Sequence, residues 1–294
     1  MAELAEQPFI PGRDLRPLIA MVAGARASHD PHAFLHPGGL QWLLRRLANA
    51  TFTVRLWRDG AALAGAIVDD AGYVMVVSAD PSLERYLWLL DRAEAARRDR
   101  GDAAIEISAW DHDHDLLAAI ASRGYEPSGT FGHELVNDRL SAWVAPRLPD
   151  GFRMGWLEPG RDDAYVELHR AAWSTRAPSA YRRELHDAVT AMPDFDRSLV
   201  AIASAPDGTL AASGIAWLDP RSRTVEIEPL GTRPEFRRLG VGRAIVDEVV
   251  RRAAERDAAS VMVWGTGANP VAVHLYESAG FSSRRVLREY RRAR

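Results

Sequence analysis

A chain of 294 residues, 47% apolar and with a formal charge of −3, has the length for two ordinary domains and the composition of a globular protein, not a disordered or fibrous one. The near-balanced charge excludes a whole-protein attraction to nucleic acid or to an anionic membrane. There is no cysteine, which excludes disulfides, thiolate metal sites and cysteine nucleophiles. There is no lysine either: all 37 basic residues are arginine, so Schiff-base and P-loop lysine chemistry are excluded. The stretch Met1 to Glu6 is acidic, and no apolar run approaches the roughly 18 residues that a membrane span needs, so a cytoplasmic protein without membrane or nucleic-acid partners is expected. Composition leaves monomer and homodimer both open.

From the N-terminus, helices are expected over 13–27 and 38–48, the second with Leu40, Leu43, Leu44 and Leu47 at helical spacing. The loop between them carries His29 and His32, with His36 after it. No carboxylates stand beside them in matched spacing, so they read as surface loop histidines, not metal ligands. Strands over 51–57, 63–68 and 73–77, separated by turn residues, make an antiparallel meander. A helix over 83–98, a strand over 103–110, a helix over 113–123 ending at Gly124, and a strand over 130–136 complete this half. The run from Asp111 to Asp115 sits at a strand-to-helix junction, where Asp satisfies free amides, and reads as an N-cap cluster.

Residues 141–150, with Pro146 and Pro149, read as a linker between domains spanning 1–140 and 151–294. Beyond it come a strand over 151–157, helices over 161–173 and 180–192, and strands over 198–204 and 210–218. A strand from Val225, a helix to about Asp257, a strand over 260–264, a helix over 270–279 and a strand over 282–290 follow. The same order of elements thus occurs twice, with Gly124-Tyr125 matching Gly280-Phe281. Trp173, Trp217 and Trp264 read as core residues, and His274 as a surface residue.

The stretch from Val225 into Arg237-Arg238-Leu239-Gly240-Val241-Gly242-Arg243 is a strand, a glycine-bearing turn and a helix N-terminus. That combination offers free amides to an anion, with arginine charge beside them. Pro229 has no N–H for a ladder, so its strand is expected to be bulged or unpaired there. Glu226 and Glu228, at i and i+2, share one face of that strand.

The half from Gly151 onward resembles the GNAT acetyltransferase superfamily. Two motifs carry the resemblance: Arg237-x-x-Gly240-x-Gly242 between a strand and a helix, and Asn269-x-x-Ala272-x-x-Leu275-Tyr276-x-x-x-Gly280-Phe281. The resemblance implies an α/β fold, here two tandem GNAT-like domains, each a mixed, mostly antiparallel sheet flanked by helices. It further implies acetyl-CoA as co-substrate and no metal. The amides of Arg238, Leu239, Gly240, Val241, Gly242 and Arg243 would hold its pyrophosphate, with Arg237 beside them. Main chain at Leu230, Gly231 and Thr232 would pair with its pantetheine arm, and Asn269 would cap its helix or touch the cofactor. An alkylamine is only roughly 0.1% neutral at pH 7, so acetyl transfer to an amine needs a base, for which Glu226 and Glu228 both stand as candidates. Tyr276 would be the acid that protonates the departing thiolate.

The N-terminal half has no arginine-glycine loop after Val77, and Ile120 and Asp113 stand where Tyr276 and Asn269 stand. It is expected to be inactive, shaping the substrate cleft or covering the other half. The function expected is an acetyl-CoA-dependent N-acetyltransferase acting on a small-molecule primary amine by direct attack. Two alternatives are a mycothiol-synthase-like enzyme, similar in tandem layout and length, and a non-catalytic acyl-CoA sensor.

Overall fold

The computed structural model describes residues 4–28, 35–71, 73–101, 104–174, 177–266 and 269–293. His29 and His32 lie outside them, whereas His36 is buried. Among the described residues, no helix is long and apolar enough to cross a membrane.

The chain packs as two compact units. One comprises Met1–Pro37, Arg46–Glu134 and Arg284–Arg294, and the other Gly38–Arg45 and Leu135–Ser283. Residues 38–45 therefore belong with the C-terminal elements, and the last strand with the N-terminal ones. A division at residues 141–150 does not anticipate either exchange, because local pattern records what a segment is and not what it packs against.

The first unit holds β1 (Ala5–Pro8), α1 (Pro11–Ser28), β2 (Phe52–Asp59), β3 (Ala62–Asp70), β4 (Tyr73–Ser78), α3 (Leu83–Asp99), β5 (Ala104–Trp110) and α4 (His114–Ser122). The helix α2 (Pro37–Leu44) lies between α1 and β2 in the chain. Strands β2 to β4 form the expected antiparallel meander, extended by β1, and β4 then runs parallel to β5. The first part of β6 (Glu126–Asn137) belongs here too. Strand β12 (Ser282–Ala293) pairs antiparallel with β5 from Leu287↔Trp110 to Ala293↔Ala104. Leu89, Leu90, Ala93, Ala119 and Ile120 from α3 and α4 meet Val74, Ile107 and Ala109 in the core. Asp113 caps α4, accepting from the Leu116 N–H at 3.0 Å, as its place at the junction predicts.

The second unit holds β7 (Arg153–Trp156), α5 (Asp162–Trp173), α6 (Arg183–Thr190), β8 (Val200–Ser204), β9 (Leu210–Asp219), β10 (Thr224–Thr232), α7 (Val241–Glu255), β11 (Ser260–Thr266) and α8 (Pro270–Ser278). Its strands run in the order β11-β10-β9-β8-β7, with the end of β6 beside β11. Helix α7 buries Val241, Ala244, Ile245, Val249 and Ala253, a stripe of helical period, against Ala212, Ala216, Val225 and Ile227 of β9 and β10. Each valine or isoleucine so buried contributes about 1.5–3 kcal/mol, which fixes the N-terminus of α7 at the end of β10. Trp217 is core, as expected, but Trp173 is 49% exposed, standing at the last turn of α5 where its sheet-facing neighbours end.

Candidate active site

Strand β10 pairs antiparallel with β9, but its register shifts between Ile227 and Leu230, where Pro229 offers no donor. On its other side it runs parallel to β11, and that pairing ends at Ile227↔Val263. From Leu230 to Thr232 the strand is again on β9, through Leu230↔Gly214, Gly231↔Ser213 and Thr232↔Ala212. Among the described residues, the edge of β10 that faced β11 has no strand partner beyond Ile227. The Trp217 indole N–H donates to the Glu228 carbonyl at 2.7 Å, fixing the backbone where the strands part.

The turn after β10 ends at Gly240, the N-cap of α7, with φ +83° and no side-chain cap. Arg238 also has positive φ, at 66°. Among the described residues, none of the main-chain N–H groups from Arg238 to Arg243 has a main-chain acceptor, so the helix end presents its donors and its partial positive charge outward. A Cβ on Gly242 would lie 3.1 Å from Thr232 Oγ1, so this turn closes tightly against the end of β10.

The arginines divide their work. The Arg237 guanidinium donates to the Thr232 carbonyl at 3.1 Å and to the Ala172 carbonyl at 2.9 Å, tying the turn to β10 and to the end of α5. Arg243 is drawn to Asp247 at 2.8 Å and to the Ser278 carbonyl at 2.6 Å, joining α7 to α8. Arg238 is exposed. The sequence treats the three as equivalent anion ligands, whereas two of them tie neighbouring elements together through main-chain carbonyls.

Asn269 caps α8, its side-chain oxygen accepting from the Ala272 N–H at 3.3 Å. Tyr276 is buried on the same helix, its ring 6.0 Å from that of Phe281. Its hydroxyl makes no hydrogen bond among the described residues. Burial, with the nearby Glu228 charge, pushes its pKa above the ordinary phenol value, so it holds its proton.

The two glutamates share a face of β10, as the i, i+2 spacing requires, but their surroundings differ. Glu226 is fully buried, and its carboxylate lies against the first turn of α2: a Cβ on Gly39 would stand 2.8 Å from Oε2 and 3.0 Å from Oε1. Glu228 is partly buried at the splay. Burial, reinforced by the Glu226 charge, pushes its pKa up to about 8, against the opposing pull of Arg45. A carboxylate in that range accepts a proton near neutral pH and releases it again.

What the sequence does not indicate is an aromatic cluster that joins α2 to α5. Trp42 of α2 stacks on Tyr181 at 5.9 Å and meets His169 of α5 at 5.8 Å. His169 lies between Tyr181, at 3.8 Å, and Trp173, at 5.8 Å. Burial, then the charge of Arg45, holds His169 down to about 3, so it is neutral. Tyr181 is fixed from behind by His186 Nδ1 at 3.2 Å, whose Nε2 meets Asp162 at 2.8 Å. The helical spacing of Tyr165, His169 and Trp173 was a signal available in the sequence. The contribution of Trp42 was not, since well over a hundred residues separate it from its neighbours.

The Acetyltransferase (GNAT) family profile matches residues 163–281. The mycothiol acetyltransferase of Kineococcus radiotolerans is 34% identical over 185 residues, 60% of this chain and 58% of that protein. That of Thermobispora bispora is 33% identical over 212 residues, 68% of this chain and 70% of that protein. The matched stretch thus spans under two thirds of the first of these relatives. Among solved structures, a tandem GNAT protein from the clavulanic acid biosynthesis pathway superposes with a TM-score of 0.67 at 15% identity, covering 99% of this chain and 98% of that one. A GCN5-related N-acetyltransferase from Sphaerobacter thermophilus gives 0.64 at 18% identity, over 100% and 96%. Those two share the fold, with its tandem GNAT layout. With one relative at this identity matched over most of its length, and with the profile falling on α5 to α8, the chain belongs to the GNAT acetyltransferase superfamily.

Proposed function

We propose that the second unit transfers an acetyl group from acetyl-CoA to a small-molecule primary amine in the cytoplasm, with Glu228 as base and Tyr276 as acid. The observation that carries this is the pairing of a carboxylate raised to about 8 with a buried, protonated phenol that feels its charge. Leu275, the neighbour of Tyr276 in α8, lies 3.7 Å from where a Cβ of Gly242 would stand, at the uncapped start of α7.

The site suits acetyl-CoA. The amides of residues 238–243 supply donors for a pyrophosphate, and the open edge of β10 from Leu230 to Thr232 supplies main chain for the pantetheine arm. The co-substrate supplies the activated acetyl thioester. Glu228 takes the proton that the amine must lose, and about a tenth of it is ionised at pH 7, enough for a base whose pKa lies near the working pH. Tyr276 gives its proton to the sulfur as it leaves. Glu226, sealed against Gly39, acts on Glu228 through its charge and does not face the amine.

Acetyl-CoA is expected to raise the melting temperature, and Gly240→Glu to abolish that rise; no rise in the unaltered protein would sink the reading. A panel of amines, with release of free CoA as the readout, identifies the acceptor. A second reading is mycothiol acetyltransferase activity, favoured by the relative that is 33% identical over 212 residues. The acceptor of those enzymes belongs in the panel, and turnover with it well above that with simple amines would establish this narrower reading.

A further inference from the structure

We propose that Trp173, the last residue of α5, is a contact residue for the pantetheine arm of acetyl-CoA, held by Gly231 and Arg237 against the part of β10 beyond its last pairing with β11. This rests on the reading that the arm lies along Leu230 to Thr232.

Three contacts place the indole there. A Cβ built on Gly231 would stand 3.2 Å from Trp173 Nε1 and 3.0 Å from the Ala172 Cβ, so bare glycine backbone is what lets the end of α5 lie this close to the strand. The Arg237 guanidinium donates to the Ala172 carbonyl at 2.9 Å and to the Thr232 carbonyl at 3.1 Å, tying the residue before Trp173 to the residue after Gly231. The indole also stacks on His169, with ring centres 5.8 Å and planes 25° apart, and His169 stacks on Tyr181 at 3.8 Å. Strand, helix end and ring stack thus set the indole before a ligand arrives, so little side-chain freedom is left to lose on binding.

This ring is nevertheless 49% exposed, and among the described residues its N–H donates to no acceptor. Trp217 makes the contrast: it is buried, and its N–H is spent on the Glu228 carbonyl at 2.7 Å. The pantetheine arm has the chemistry that the free indole lacks. It carries amides separated by methylenes, and a carbon bearing geminal methyl groups. Amides that pair with β10 as a strand does keep a carbonyl lone pair for the indole N–H, while the apolar carbons cover the ring. Gly231 lies past Glu228 and Pro229 along the strand, in the segment that takes the arm and not where the amine meets its base.

The test is isothermal titration calorimetry on the full chain with a pair of probes, acetyl-CoA and its arm-free nucleotide, adenosine diphosphate phosphorylated on the ribose. Trp173→Ala is expected to weaken acetyl-CoA binding by about tenfold or more, through the loss of an aromatic contact and a hydrogen bond, with nucleotide affinity kept within about twofold. Trp173→Phe, which keeps a ring and loses the N–H, should weaken acetyl-CoA by about fivefold, and it reads the same contact if Trp173→Ala does not fold. Unchanged acetyl-CoA affinity in a folded variant overturns the proposal. Equal weakening of both probes overturns it too, since Trp173 would then be a packing residue. Either result leaves the arm reading standing, provided that the unaltered chain binds acetyl-CoA more tightly than the nucleotide. Acetyl-CoA bound no more tightly than the nucleotide by the unaltered chain overturns that reading and the proposal together.

Discussion

The join between β10 and α7 has a counterpart in the first unit, between β4 and α3, and the two differ in what satisfies the helix end. Both follow a strand that runs parallel to its next neighbour for only a few residues. At α3 the N-cap is Ser82, whose hydroxyl accepts from the Arg85 N–H at 3.4 Å, while the Ser78 hydroxyl accepts from the Asp80 N–H at 3.2 Å and donates to the Asp80 carbonyl at 2.7 Å. Glu84 stands in the first turn. The Arg85 and Asp80 amides there are taken up by serine hydroxyls of the chain itself, and an acid stands in the first turn. At α7 the cap is Gly240, without a side chain, and the first turn carries no acid. Serine in one place and glycine in the other separate a helix end with a side-chain cap from one without. The second helices extend the contrast: Asp113 and Asn269 both cap, but Ile120 is an apolar core residue where Tyr276 carries a phenol.

This contrast can be broken at several points. The largest effect is expected from Glu228→Gln, which should lower kcat by about 10²- to 10⁴-fold. It should also remove the rise of kcat/KM with pH through about 8, because the base works only when deprotonated and its folded-state value sits there. Next, Gly240→Asp, which gives α7 an acidic cap at positive φ, should weaken acetyl-CoA binding by about 10²-fold, measured calorimetrically. Tyr276→Phe, which makes the second unit more like the first at Ile120, should cut turnover by about 10²-fold with acetyl-CoA affinity kept. Equal loss of both would make Tyr276 a packing residue. The smallest effect is expected from Ser82→Ala, about 1 kcal/mol of stability by denaturant titration with no change in acetyl transfer. A loss of transfer there would mean that the first unit's helix end serves the chemistry.

The elements themselves are readable from the sequence because each is written in local periodicity: the stripe of α7, the meander of β2 to β4, and the glycine that ends α4. The bulge at Pro229 is readable for the same reason, since a missing N–H has only local remedies. Strand β1 escapes notice because four residues at a sheet edge carry no period. The choice between Glu226 and Glu228 is also closed to the sequence. Both lie on one face of β10, and what separates them is Gly39 packing on one and Arg45 acting on the other.

The sequence by itself determined the tandem fold, the splayed strand, the uncapped turn and the helix that carries Tyr276, because each of these is set by propensity, capping and the presence or absence of a donor within a few residues. Tertiary structure alone decided that residues 38–45 pack with the second unit and that the last strand pairs with β5. It also decided that Arg237 and Arg243 bind carbonyls, and that one carboxylate of a matched pair is lifted into the range of a base. Burial and charge are sums over neighbours from every part of the chain, and no local pattern encodes such a sum.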